Sequence, residues 1–213
     1  MLALCLTTTI ATGLISPGLV GTDIIGTAYA QSGDITSELI DPMGDAPIDM
    51  AHNDVVLDEL FISLKEVDDA GDVQRITAEI WSRWSTHPTE ESLTRRLFRG
   101  VSMMNQGDYF HAEGIFSDII DQDPSFAEAW NKRATLYYIQ GRLADSRFDI
   151  AQTLNLEPRH FGALAGLGLI EMSAGNFEQA LRAYEQAADV NPHMAQANQM
   201  IKSLTEKLRG IAL

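Results

Sequence analysis

Residues 127–160 read AEAWNKRATLYYIQGRLADSRFDIAQTLNLEPRH, and residues 161–194, FGALAGLGLIEMSAGNFEQALRAYEQAADVNPHM, repeat their pattern 34 positions later. Ala134 answers to Gly168, Gly141 to Gly175, Ser146 to Ala180, Ile150 to Tyr184 and Pro158 to Pro192. The same step taken toward the N-terminus reaches Gly100, Gly107, Ala112, Phe116 and Pro124, so residues 93–126 are a further copy. A period of this length marks one supersecondary unit used several times. No single unit buries its apolar face alone, and stacking makes one continuous core.

Each recurring residue has a physical task. The small residues at Gly100, Ala134 and Gly168 fall in a first helix, and those at Ala112, Ser146 and Ala180 in a second. Two helices approach closely where the crossing side chains are small. The larger Phe116, Ile150 and Tyr184 are expected to fill the space toward the next unit. Gly107, Gly141 and Gly175 end the first helix, where a left-handed residue is needed and only glycine lacks the Cβ penalty. Each proline stops the second helix. The expected fold is all-α, a solenoid of helical hairpins.

Trp130, Ala134, Tyr137, Ser146 and Pro158 resemble the tetratricopeptide signature W-x2-L-G-x2-Y, A-x3-F, P, with Arg133 at the Leu position. The following copy has Leu164, Leu167, Gly168, Ala180, Tyr184 and Pro192, with Glu171 replacing the Tyr. The first copy departs most, carrying Arg96 and Arg99 at the Trp and Leu positions. The resemblance extends from about Leu57 to Leu213. Around Phe126–Thr135 and Leu156–Leu164 the chain is similar to exported tetratricopeptide proteins of alphaproteobacteria. This implies a protein–protein interaction scaffold or adaptor of the cell envelope, without catalytic residues or cofactor. A periplasmic holdase or outer-membrane assembly factor is the alternative.

Ligands of this family contact five positions along each first helix, on the concave face. Carried over, these are Thr94, Leu97, Val101, Met104 and Asn105; then Glu128, Asn131, Thr135, Tyr138 and Ile139; then Gly162, Ala165, Leu169, Met172 and Ser173. The candidate groove is Leu97, Val101, Met104, Asn105, Asn131, Thr135, Tyr138, Ile139, Ala165, Leu169 and Met172. Members that clamp the carboxylate of a chaperone tail place Lys, Asn and Arg here. Leu97 and Val101 stand where that Lys and Asn would, so the resemblance does not imply that ligand. The expectation is an apolar trough for an amphipathic helix or extended apolar peptide, unless part of it meets the chain's own first hairpin or last helix.

Residues 57–92 read as a degenerate hairpin: Leu57, Leu60, Phe61, Leu64 and Val67, a break at Gly71, then Val73, Ile76, Ile80, Trp81 and Trp84. It is expected to pack as a divergent N-terminal repeat. Pro88 precedes Pro124 by 36 residues, two more than the period. Residues 195–213 read as a capping helix and tail, with Ala197, Ile201, Leu204 and Leu208 along one side and Gln196, Lys202 and Lys207 opposite.

Residues 1–30 read as a secretory signal peptide. Met1–Ala28 holds one charge, Asp23, and the stretch ends in Ala28-Tyr29-Ala30, an A-x-A cleavage pattern. No Lys or Arg precedes the apolar run, and a start upstream of Met1 is the expected reason. Cleavage after Ala30 and a periplasmic address are the expectation, with no membrane insertion of the mature chain. It would also remove Cys5, the one cysteine, and with it any disulfide or thiolate site. Residues 31–56 read as an acidic linker.

The 30 acidic residues against 15 basic ones give a net charge of −15, and loss of Asp23 leaves 29 against 15. Such a chain is repelled by nucleic acid and by anionic membrane surfaces. Arg95, Arg96 and Arg99 are a local exception: an anion-binding patch, or a solvated face paired with Glu90 and Glu91. His87, His160 and His193 lie beside the repeat-ending prolines, and His52 and His111 elsewhere. None forms a metal-ligand pair, and no nucleophile elbow, P-loop or dinucleotide fingerprint is present. Glu157-Pro158-Arg159-His160 gathers an acid, a base and an imidazole, which suits a turn more than a reaction.

Overall fold

The computed structural model describes residues 54–211, and within them every regular element is a helix. The signal peptide read at 1–30 and nearly all of the linker read at 31–56 lie outside the described residues. The helices are α1 Val55–Glu66, α2 Ala70–Ser85, α3 Glu91–Asn105, α4 Tyr109–Gln122, α5 Ala127–Ile139, α6 Leu143–Leu156, α7 Phe161–Ser173, α8 Phe177–Val190 and α9 Ala195–Ile211. Pairs α3–α4, α5–α6 and α7–α8 are the three repeating hairpins.

The hairpin loops follow from the glycines. Gly107, Gly141 and Gly175 have φ of +80°, +74° and +79°. The Gly107 N–H donates to the Met104 carbonyl at 3.0 Å and the Asp108 N–H to that of Met103 at 2.9 Å, a Schellman closure. Asp108 then caps α4 by accepting from the His111 N–H, so one residue closes a helix and opens the next. Between hairpins, the residue before each proline accepts from the N–H two positions on. Asp123 takes Ser125 at 2.8 Å, Glu157 takes Arg159 at 3.0 Å and Asn191 takes His193 at 3.1 Å.

Within a hairpin the aromatic ring of the second helix lies on the glycine of the first. A Cβ on Gly100 would fall 2.5 Å from the Phe116 ring, and one on Gly168 would fall 2.7 Å from that of Tyr184. Phe116 and Tyr184 thus touch the first helix of their own unit. All three second-helix residues also share a core with the following unit: Phe116 with Ala129 and Leu136, Ile150 with Ala163 and Ile170, and Tyr184 with Ala197 and Leu204.

Between hairpins, the seam is made by the third and tenth residues of each first helix. Ala129 and Leu136, Ala163 and Ile170, and Ala197 and Leu204 are all buried against the preceding unit. At α3 the same places hold Arg95 and Ser102, both exposed, so the stack ends there with a polar face. At the other end α9 carries Lys202 where Gly100, Ala134 and Gly168 admit a second helix, which makes it a cap.

The first hairpin departs from the sequence expectation. α1 and α2 form a core of Leu57, Phe61, Leu64, Ile76, Ile80 and Trp84, but its partners outside the hairpin are Phe161, Val190 and Met194 rather than α3 or α4. Arg95 and Ser102 stand on the outer face of α3 where the other first helices bring Ala and Leu or Ile, so that face, Phe98 apart, lacks the residues that make a seam. Gly71 is also not the break: Val67–Asp69 is, and Gly71 donates to the Asp69 cap at 2.9 Å within the first turn of α2.

Candidate functional site

The face formed by α3, α5 and α7 divides into a buried part and an open part. Leu97 is 1 % exposed, Met104 9 % and Asn131 7 %, which removes them from the candidate groove. Leu97 and Met104 belong to the core shared with Phe116, Ile119 and Leu136. Asn131 is spent on Glu128, to which its amide donates at 2.9 Å. Asn105 is exposed, and Val101, Thr135, Tyr138, Ile139, Ala165, Leu169 and Met172 are half-buried. The Thr135 hydroxyl donates to the Asn131 carbonyl and that of Ser173 to Leu169, each at 2.9 Å. Both hydroxyls are thereby consumed, and the open strip offers mainly methyl and ring surface.

A second buried region lies at the front of α5 and α7, under α2. Glu128, at the second position of its unit, is fully buried, and Gly162 at the same position of the next unit is covered by Trp81. Glu128 faces Lys132 at 2.8 Å and His160 at 2.9 Å. Burial pushes the Glu128 carboxyl up, but the Lys132 ammonium and the His160 hydrogen bond outweigh it and hold it at about 2. His160 Nδ1 accepts the Ala163 N–H at 3.1 Å and caps α7, so Nε2 carries the proton donated to Glu128.

The other turn residues are fasteners of the same kind. His87 Nδ1 accepts the Glu90 N–H at 2.9 Å, and Nε2 meets Asp123 at 2.6 Å. The Ser125 hydrogen bonds, then that of His87, hold the Asp123 carboxyl below the usual range. His193 Nε2 donates to the Leu64 carbonyl at 2.9 Å. Arg159 reaches Glu157 at 3.1 Å and Asp58 at 2.5 Å, and lies over the Phe61 ring. The Glu157–His160 cluster therefore ties α1 to a turn. Among the described residues no three His, Cys, Asp or Glu gather as metal ligands, and no helix is long and apolar enough to cross a membrane.

The arginines of α3 are surface residues. Arg95 pairs with Glu91 at 2.7 Å and Arg96 donates to Gln122 at 2.8 Å. Two residues absent from the sequence-based groove matter most to its form, Trp81 and Trp84. Their spacing marked them as apolar helix positions, but nothing local says which surface a helix face meets.

Comparison with known proteins follows the same lines. Tetratricopeptide-repeat models match residues 161–194 and 99–155. A TPR repeat-containing protein of Rhizobium etli is 35% identical over 156 residues, covering 72% of this chain and 75% of that one. The first TPR of Spaghetti (RPAP3), solved with the HSP90 peptide SRMEEVD, has a TM-score of 0.53 and 19% identity, over 56% of this chain and 94% of its own. The Yersinia enterocolitica type III secretion chaperone SycD, solved with a peptide of the translocator YopD, has a TM-score of 0.52 and 10% identity, over 56% of this chain and 96% of its own. At such identities the two structures speak for the fold alone.

Proposed function

The chain belongs to the tetratricopeptide-repeat family, and from that premise we propose that it is a non-catalytic scaffold or adaptor holding a partner protein on the open strip of its first-helix face. One observation carries the reading: Val101, Thr135, Tyr138, Ile139, Leu169 and Met172 leave half-exposed apolar surface along three successive helices. A strip of this kind suits the apolar side of a helix or an extended peptide. The fold's use as a peptide holder in the HSP90-peptide and YopD-peptide complexes supports the same class of partner.

A photo-reactive residue at Tyr138 or Leu169 tests it, with Gln186 on the exposed side of α8 as control. The expected result is one defined adduct from the first two positions, lost when Val101→Glu and Leu169→Glu are added without loss of helicity. Equal adducts from Gln186 would sink the strip as the binding surface.

We infer that it works in the bacterial envelope after export. Support comes from Ala28-Tyr29-Ala30 behind an apolar run and from the absence of cysteine beyond Cys5. Intact-mass measurement of the cellular protein should give a chain starting at Gln31; a chain retaining Cys5 overturns it.

A further inference from the structure

The first hairpin is seated on the solenoid by two indole rings. Trp84 stacks on His160 with centroids 4.1 Å apart and planes 12° from parallel. Trp81 meets His160 and Phe161 edge-on at 5.4 and 5.3 Å, and the Lys132 ammonium lies 5.3 Å from its ring. The same ring fills the space above Gly162, where a Cβ would fall 2.6 Å from its edge. That seat exists only because the second position of this unit carries no side chain.

Beyond the rings the apolar contact of α2 with the solenoid is thin, and the polar fasteners of the hairpin, Arg159 to Asp58 and His193 to the Leu64 carbonyl, hold α1 instead. One fully buried apolar side chain of the solenoid, Phe161, enters the hairpin core, beside the half-buried Val190 and Met194. The repeat seams, by contrast, bury an Ala and a Leu or Ile pair each. The Trp84 indole N–H is buried at this joint without a hydrogen-bond partner. An unmade bond of that kind weakens the packing that imposes it. Hence α2 lies on α5 and α7 as a bound helix would, held there by its two rings and a few apolar side chains.

We propose that the recess of His160, Phe161, Gly162 and Lys132 is a tryptophan-binding site for a partner protein, which α2 fills in the resting chain. The partner is an amphipathic helix with two indoles three residues apart and an aliphatic residue beside them. That is the chemistry of Ile80, Trp81 and Trp84, which share one side of α2. The imidazole of His160 takes one indole face, the Lys132 ammonium takes the other, and Gly162 admits the ring edge. The site is distinct from the open strip and does not depend on it. Because the occupying helix is tethered to the site, it competes at an effective concentration on the order of millimolar. A partner helix therefore gains access chiefly when the hairpin is loosened.

The test uses the full chain with Trp81→Ala and Trp84→Ala, and a fluorescent peptide of residues 70–85 as the indole-bearing helix. Hydrogen exchange reports whether α1–α2 is released while α3–α9 stays protected. The expected result is release of the hairpin, and peptide binding at least about tenfold tighter than to the parent. Adding Gly162→Val should abolish that binding, as should replacing both tryptophans of the peptide by alanine. Release of the hairpin without peptide binding overturns the site, and so does equal binding of the alanine peptide. A hairpin still protected in the double variant overturns it too, since the rings then do not hold it. A parent that sediments as a hairpin-exchanged dimer assigns the recess to a second copy, against the proposal. Should the double variant lose protection throughout, Trp81→Ala alone, which spares the hairpin core, supports the same comparison.

Discussion

Gly168 and Gly141 are both glycines of one repeat pattern, yet they are held for opposite reasons. At Gly168 three atoms of the Tyr184 ring stand within 2.9 Å of where a Cβ would go, inside a regular helix. Gly168→Ala should lower stability by about 1–2 kcal/mol, the overpacking cost less the gain in helix propensity. At Gly141 nothing stands within 4 Å, but φ is +74°. Gly141→Ala should cost about 1 kcal/mol for the backbone alone, and Gly141→Asn less, since Asn tolerates the left-handed region. Urea unfolding of these three variants and of Gly168→Asn, which should be worse than Gly168→Ala, checks the distinction. Glu128 has a consequence for acid. Its carboxyl is held at about 2 against an ordinary 4.5, so its contribution is complete above pH 4.5 and is lost as the pH falls toward 2. That contribution is on the order of 3 kcal/mol. Stability of Glu128→Gln should fall less than that of the parent across the same window, measured by denaturant titration at each pH.

Between elements, the departures from the repeat pattern compensate each other. Tyr137 donates its hydroxyl to Glu113 of the preceding unit at 3.1 Å. One unit later Glu171 replaces that Tyr, and Arg147 stands where Glu113 did and donates to Glu171. In both cases the partners are 24 residues apart, so polarity reverses while register is kept. The Glu171→Tyr, Arg147→Glu pair should therefore be more stable than the sum of its single variants by about 1–3 kcal/mol in a double-mutant cycle. Arg133, at a position the pattern gives to Leu, is answered in the same way by the buried Asp149, with hydrogen bonds of 2.7 and 2.9 Å. Substitutions of this type were visible in the sequence as departures, and their partners were not. A period fixes which residues are equivalent, whereas pairing requires knowing which helices face each other.

For the molecule as a whole, the repeats and their loops were legible because small residues, glycines and prolines recur for reasons of backbone and close approach. The placement of α1–α2 was not legible. Helical spacing says that Ile76, Ile80 and Trp84 are turned to something apolar, and Phe161 lies 77 residues beyond Trp84. The candidate strip suffered from the same gap, since Leu97 and Met104 are taken into a core with Phe116 and Leu136 that lie on other helices. Protection from hydrogen exchange should accordingly be lowest in α1–α2 and highest in α5–α8, by at least about 1 kcal/mol in local opening free energy. Uniform protection across all helices would contradict a weak hairpin joint.

The seam of Ala129 and Leu136, Ala163 and Ile170, Ala197 and Leu204 is the same interface used three times; Arg95 refuses it at one end, and at the other Lys202 refuses the second helix that a further unit would need. Tandem duplication of residues 127–160 would repeat the Ala and Leu seam at the new join, where Tyr137 of the second copy would meet Arg147 of the first in place of Glu113. The reach of the molecule is thus a quantity that recombination can set by whole units, at the cost of re-pairing one polar contact at each new join.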